Sequence, residues 1–170
     1  MEKSDFRPKR MTMKNILKVG VPVCLQDGFI QVSFVVITIF ANQRGLTDAA
    51  AVGIVEKIIS ILFLVPSSMM STISALVAQN IGAGKHDRAK LTLKYVLMIT
   101  VTYGLIMTII VQFVSVPLVG LFTNDGAVAV SGAGYLRSYA SDCIFAGIHF
   151  CLSGYFYAYG LSVISFIHNS

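Results

Sequence analysis

Among the polar side chains within the long apolar runs of the sequence, five are candidates for ion or substrate binding. They are Asp27, Gln31, Glu56, Lys57 and Asp142. A charged side chain at the centre of a lipid bilayer costs about 2.5–3.5 kcal/mol on insertion scales, so such residues usually pair, bind ions or transfer protons. We predict that these five contribute to an ion-coupling or substrate-binding site. A static bond between helices is the alternative for each.

The surroundings of these residues indicate what each could do. Asp27 lies near the middle of the first apolar run, five residues after Pro22. A proline inside a helix frees a backbone carbonyl one turn earlier, and transporters build cation sites beside such interruptions. Glu56 and Lys57 are adjacent, so on a helix they point about 100° apart and face different neighbours. Asp142 lies at a depth comparable to that of Lys57, which makes these two residues a candidate ion pair.

The composition shows that lipid must surround most of the chain. Of its 170 residues, 55% are hydrophobic and 12% are charged, and the mean hydropathy is +0.76. A soluble domain averages about 25% charged residues. These values exclude a soluble enzyme, a disordered regulator and a disulfide-stapled secreted module. The net charge of +5 comes from basic residues beside the apolar runs, so anionic lipid is a better partner for them than nucleic acid.

Four apolar runs are long enough to cross a membrane as helices, which takes about 20 residues. They cover approximately residues 16–41, 49–78, 91–122 and 135–159, and a fifth run, 161–167, has the pattern of the start of another helix. Lipid offers no partner for unpaired backbone groups, and barrel-type alternation is absent, so the spans are predicted to be helical. The predicted fold is an all-α polytopic transmembrane bundle. Residues 1–15 form its cytoplasmic flank, and residues 16–170 form a transmembrane lobe.

The distribution of Lys and Arg predicts the orientation, because these residues accumulate in short cytoplasmic loops. Six basic residues lie within the first 18 residues and four around the second connector, which is ten of the 13 in the chain. Arg44 and Arg137 are assigned to the opposite side. We therefore expect a multi-pass protein of the plasma (inner) membrane with a cytoplasmic N-terminus. Thr47 or Asp48 is predicted to cap the second helix, and Asp87 the third.

Enzyme chemistry is not indicated by any spacing of residues. The Gly-Ala-Gly-Lys run at 82–85 lacks the glycine before it and the Ser or Thr after it that a phosphate-binding loop requires. Ser-His-Asp and His-Glu-x-x-His patterns are absent, and Cys24, Cys143 and Cys151 have no metal-ligand spacing. We expect no enzymatic activity and no cofactor or metal.

Four segments together resemble one family of membrane proteins. They are Ile-Leu-Lys-Val-Gly-Val-Pro at 16–22, Ala-Gln-Asn-Ile-Gly-Ala-Gly-Lys at 78–85, Leu-Phe-Thr-Asn-Asp at 121–125 and Gly-Tyr-Leu-Arg at 134–137. In this order and spacing they are similar to the lobe motifs of the multidrug and toxic compound extrusion (MATE) transporters, over about residues 11–168. The runs at 55–58 and 135–138 resemble the C-terminal lobe more closely.

The resemblance implies a fold of twelve helices in two pseudosymmetric lobes with a substrate cavity between them. It implies secondary-active export of organic, often cationic, compounds in exchange for Na⁺ or H⁺. This chain would then be half of such a transporter or less, with helices seven to ten and the start of eleven, and its partner would be a missing N-terminal lobe. The coupling acid of helix seven in some members falls at Ile30 here, and that of helix ten falls about one turn beyond Asp142. Neither role is therefore transferred.

The sequence also allows two other functions. A lipid-linked sugar flippase of the same superfamily would need several basic residues in its cavity, whereas Lys57 is the one deep basic residue in the sequence. A membrane assembly subunit that transports nothing is the second, and the incomplete fifth run argues against it.

Overall fold

The computed structural model describes residues 10–161, and within them the chain forms helices and no strands, which confirms the predicted all-α fold. The six helices are α1 (Arg10–Arg44), α2 (Leu46–Leu62), α3 (Leu64–Gly82), α4 (His86–Gly120), α5 (Gly126–Ala140) and α6 (Asp142–Ala158). The connectors at Gly45 and 121–125 lie at one end of the bundle, which we call the Arg44 end. The connector at 83–85 lies at the other, the Lys85 end.

Three segments are long and apolar enough to cross a membrane, and they correspond to the first three predicted spans. They are Gly20–Arg44, Leu46–Gly82 and His86–Gly120. The fourth predicted span corresponds to α5 and α6, which separate at Ser141 into two shorter helices. The chain is thus a multi-pass membrane protein. Residues 162–167 of the predicted fifth span and residues 1–9 of the predicted flank lie outside the described residues.

The helix starts differ from the predicted caps. Asp48 and Asp87 lie inside the first turns of α2 and α4, where a negative charge still interacts favourably with the helix dipole. The residue before α2 is Gly45, whose φ of +125° is a conformation that favours glycine. A side-chain cap does form at α5, where Asp125 Oδ1 accepts from the Ala127 N–H at 2.8 Å.

The second span is interrupted at Phe63, between α2 and α3. The cause is Pro66, which has no N–H to donate to the carbonyl of Leu62 one turn earlier. The Tyr103 hydroxyl of α4 donates to that carbonyl instead, over 3.1 Å. A side chain of a neighbouring helix therefore supplies the missing hydrogen bond.

A second interruption lies at Ser141, between α5 and α6. The N–H of residue 144 bonds to the Ser141 carbonyl, and the N–H of Ser141 turns to the carbonyl of residue 139. The carbonyls of Arg137 and Ala140 consequently lack their usual helical donors. Helix α4 again supplies the bonds: Gln112 Nε2 donates to the Arg137 carbonyl at 3.4 Å, and Thr108 Oγ1 donates to the Ala140 carbonyl at 2.8 Å.

The helices pack around two separate cores. α2 packs mainly on α5 and α3 on α6, whereas α4 contacts α3, α5 and α6. The Arg44-end core consists of Val55, Ile58, Ile59, Val111, Val119, Leu136 and Ala140. The Lys85-end core consists of Ile73, Val77, Ala89, Val96 and Cys151. Helix α1 rests on α2, and most of its surface is exposed.

Close approach of α3 to α6 depends on Gly154. A Cβ atom at this position would lie 2.5 Å from the Met70 backbone carbonyl oxygen and 2.5 Å from Ile73 Cγ2. Small residues at helix crossings allow this kind of contact in membrane proteins, where dispersion between packed surfaces holds helices together.

We expect Gly154→Ala to lower the free energy of unfolding by about 1–3 kcal/mol, because α3 and α6 must separate to admit the methyl group. Gly53→Ala is the matched control: Gly53 lies on an exposed face of α2 with open space around its Cα, so alanine stabilises by up to about 1 kcal/mol. Thermal unfolding in detergent measures both. Equal melting temperatures for the two variants would contradict the close crossing.

Candidate functional site

A cavity of about 650 Å³ opens between α1, α2 and α5 at the Arg44 end. Its size falls in the range of small-molecule sites, about 300–1,000 Å³. The wall combines apolar residues with a few charged and polar side chains, as ligand sites do. The lining residues are Ile37, Phe40, Ala41, Gln43, Arg44, Asp48, Ala51, Val52, Ser131, Gly134 and Tyr135.

Two opposite charges lie at this cavity. Arg44 ends α1, and Asp48 lies one turn into α2, so the short connector at Gly45 places both at the same end of the bundle. Asp48 Oδ1 accepts a hydrogen bond from Ser131 Oγ at 2.8 Å, which fixes the carboxylate against α5. Arg44 is exposed, whereas Asp48 is half-buried.

The deeper wall of the cavity is formed by Tyr135, and Glu56 lies nearby. The Tyr135 hydroxyl is buried and has no hydrogen-bond partner among residues 10–161. It lies within the electrostatic range of Glu56. Glu56 Oε1 accepts from Thr38 Oγ1 of α1 at 3.4 Å, so this carboxylate lies between α1 and α2. Glu56 is thus bonded to α1 through Thr38 and lies near Tyr135 of the cavity wall.

The five side chains predicted from the sequence do not meet at one point. Glu56 is half-buried beside the cavity, whereas Asp27 and Gln31 lie on exposed positions of α1. Asp27 is about 26 Å from Arg44 along the helix axis, at 1.5 Å per residue. The buried polar group of that region is the neighbouring Gln26, whose Oε1 accepts from the Tyr157 hydroxyl at 3.1 Å.

The predicted ion pair between Lys57 and Asp142 does not form in the described part of the chain. Both side chains are exposed. α2 buries its residues 51, 55, 58 and 59, so Lys57 points away from α5. Asp142 lies in the first turn of α6. The carboxylates of Asp142 and Glu56 both interact electrostatically with Tyr139. Within residues 10–161 no cluster of three or more His, Cys, Asp or Glu side chains could hold a metal ion.

Arg137, which the sequence places at the opening of the fourth span, lies well inside α5. It lies eleven residues into α5, about 16 Å along the helix from Gly126, because α5 begins at the Asp125 cap rather than near Tyr135. Helical side chains point towards the N-terminus of their helix, so the guanidinium extends back towards the Arg44 end. Its Nε donates to the fully buried Ser115 hydroxyl at 2.7 Å.

We expect Tyr135→Phe to leave the free energy of unfolding unchanged or to raise it by about 1 kcal/mol, because a buried hydroxyl without a partner carries a desolvation penalty. Tyr103→Phe is the comparison, since it removes a hydroxyl that is bonded, and it should destabilise by about 0.6–1.7 kcal/mol. Denaturant titration in mixed micelles measures both. If Tyr135→Phe lowers the free energy of unfolding as much as Tyr103→Phe does, the Tyr135 hydroxyl must have a hydrogen-bond partner.

Comparison with known proteins adds an independent line of evidence. A protein-family model described as MatE matches residues 22–170. The chain is 27% identical over 160 residues to the multidrug export protein MepA of Staphylococcus saprophyticus, which covers 94% of this chain and 35% of that protein. It is 26% identical over 110 residues to the probable multidrug resistance protein YoeA of Bacillus subtilis, covering 65% of this chain and 24% of that protein.

These two matches span about a third and about a quarter of the relatives' lengths. No solved structure matches the chain significantly. The family model nevertheless covers most of the chain, including all the helices from Pro22 onwards, and it agrees with the resemblance in the sequence. This polytopic helical chain belongs to the MatE family.

Proposed function

We propose that the chain is part of a secondary-active exporter of organic cations, driven by Na⁺ or H⁺, in the plasma (inner) membrane. Its proposed partner is a second lobe, on the N-terminal side of the same transporter. The N-terminus of this chain faces the cytoplasm. The observation that carries this proposal is the amphipathic cavity of a MatE-family chain. Relatives named for multidrug export support the same class of substrate.

The chemistry of the cavity suits an apolar cation. Phe40, Ile37 and Val52 provide apolar contact, and Asp48 and Glu56 provide negative charge at or beside the wall. Arg44 partly offsets that charge. Among the described residues, Arg44 is the single basic side chain on the wall, which disfavours the alternative of a flippase for a pyrophosphate-linked sugar.

Glu56 is the foremost candidate for ion coupling. Its carboxylate carries one negative charge, so H⁺ or Na⁺ and an organic cation would compete for it. Release of the cation when the ion binds shifts the balance between the outward- and inward-open states. Asp27, Gln31, Lys57 and Asp142 stay as further candidates, and their exposed positions would suit contact with a second lobe.

The charge signs at the cavity wall can be tested on this chain in lipid nanodiscs with ethidium as the probe. Asp48→Asn should weaken ethidium binding about fivefold, and Arg44→Gln should strengthen it about fivefold, because each removes roughly 1 kcal/mol of opposite sign. Fluorescence titration measures the dissociation constants. Asp87→Asn, a carboxylate at the far end of the bundle, serves as the control. Reversed signs at Asp48 and Arg44 would indicate an anion site.

Coupling is tested by ethidium efflux from cells that produce the complete transporter carrying this lobe. Glu56→Gln should reduce efflux at least tenfold, because glutamine keeps the shape of the side chain but does not bind H⁺. Asp27→Asn and Asp142→Asn are measured in parallel. Unchanged efflux in all three variants, at equal protein levels in the membrane, would remove these acids from the coupling role.

A further inference from the structure

The two helix interruptions lie at the same depth in the bundle. Phe63 is close to the middle of the α2–α3 span, and Ser141 is close to the middle of the α5–α6 pair. Both face the middle of α4, where Tyr103 contacts the first interruption and Thr108 the second. Gly104 lies between them, and a Cβ there would be 3.0 Å from the Ile144 Cα, so α4 touches the backbone at the second interruption.

The packing on either side of this level joins the helices in cross-pairs. α2 packs on α5 and shares the Arg44-end core with the last part of α4, whereas α3 packs on α6 and shares the Lys85-end core with the first part of α4. Helices α2 and α3 follow each other end to end, as do α5 and α6, so the two members of each span share few contacts. The α2–α5 pair and the α3–α6 pair are joined by the two short breaks and by α4.

The hydroxyl that bonds across the Ser141 break has a second acceptor on its own helix. Thr108 Oγ1 lies 2.8 Å from the Ala140 carbonyl and 2.8 Å from the Gly104 carbonyl of its own helix. A hydroxyl has one proton, so it serves one carbonyl at a time or shares it between the two. If the bond to Ala140 breaks, the Thr108 hydroxyl still has an acceptor.

We propose that the breaks at Phe63 and Ser141 act as one hinge. The α2–α5 pair pivots as a unit against the α3–α6 pair, and the hydroxyls of Tyr103 and Thr108 latch the arrangement seen in the structure. Two breaks at one depth, cross-paired helices and latches on a shared unbroken helix each point to a common pivot. Elements with few mutual contacts and a short irregular junction are those that hinge in proteins. The hinge does not depend on which compound, if any, the protein transports.

The native cysteines report on hinge opening. Cys143 lies in the first turn of α6, beside the Ser141 break, and is buried, whereas Cys151 is buried about two turns further on, in the Lys85-end core. Cys24 is exposed and is replaced by serine in all variants. N-ethylmaleimide, which permeates membranes, is added to the chain in lipid nanodiscs. Mass spectrometry then follows the labelling rates of Cys143 and Cys151.

Two variants at the Phe63 break should change Cys143 labelling in opposite directions. Tyr103→Phe removes the latch on Leu62 and should speed Cys143 labelling about threefold. Pro66→Ala restores an N–H for the Leu62 carbonyl and makes α2–α3 more continuous, so it should slow Cys143 labelling at least threefold. Cys151 labelling should stay unchanged in both, since the Lys85-end core moves as one body.

Matched controls separate the hinge from a local effect on the thiol. Thr108→Val should also speed Cys143 labelling, whereas Thr102→Val should not, because the Thr102 hydroxyl bonds only to Met98 of its own helix. Tyr95→Phe, at an exposed tyrosine of α4, is the control for Tyr103→Phe. Thr108→Val also keeps the test available if Tyr103→Phe does not fold.

Several results would overturn the proposal. Cys143 and Cys151 rates that rise together would show a general loss of packing rather than a hinge. Faster Cys143 labelling in Pro66→Ala, or no response to any variant at the breaks, would show that the two breaks do not move together. A Cys143 that stays unlabelled in every variant would show that the Ser141 break does not open.

Discussion

A backbone carbonyl that loses its helical donor within an apolar layer must find another donor, because lipid provides none. The carbonyls of Leu62, Arg137 and Ala140 are in this position, and all three receive bonds from side chains of α4. Tyr103 lies about 140° around α4 from Thr108, at 100° per residue, so the two hydroxyls face different broken helices. The arrangement of α2, α3, α5 and α6 therefore depends on one continuous helix.

Much of the fold follows from hydrophobic run length. The all-α bundle and three of its spans were predicted because about 20 apolar residues can cross lipid only as a helix. A proline in the sequence shows where a carbonyl loses its donor but not whether the helix breaks: the second span is interrupted near Pro66, whereas α4 continues through Pro117. Nor does the local sequence show the new donor, because the nearby serine hydroxyls bond to Leu64. The Leu62 carbonyl bonds to Tyr103, which is distant in sequence, and only tertiary packing brings them together.

Other features could not be predicted because their causes are not local in sequence. No proline marks the Ser141 break. The apolar pattern places the start of the fourth span near Tyr135, nine residues after the observed start of α5 at Gly126, because the sequence does not decide whether residues 128–134 are helical. The signal that could have corrected this was Asp125 before Gly126, a normal helix cap. For the site, the free-energy cost of placing a charge in lipid points to every intramembrane acid equally. It does not distinguish half-buried Glu56 from exposed Asp27, because that difference depends on which helix face finds a neighbour.

The cavity and the hinge are linked by the elements that they share. Helices α2 and α5 both line the cavity, whereas α3 and α6 contribute no residue to its wall. The third wall is α1, which is continuous from Arg10 to Arg44, packs on α2 and is bonded near its middle, at Gln26, to Tyr157 of α6. A pivot of the α2–α5 pair against the α3–α6 pair would therefore act on α1 from both sides, through its packing on α2 and through the Gln26–Tyr157 bond. The Thr38–Glu56 contact between α1 and α2 would be sensitive to this motion, because at 3.4 Å it is a long hydrogen bond and the Thr38 hydroxyl also lies 2.9 Å from the Phe34 carbonyl. A carboxylate that gains or loses this partner as the cavity changes shape would couple its charge to the conformation of the chain.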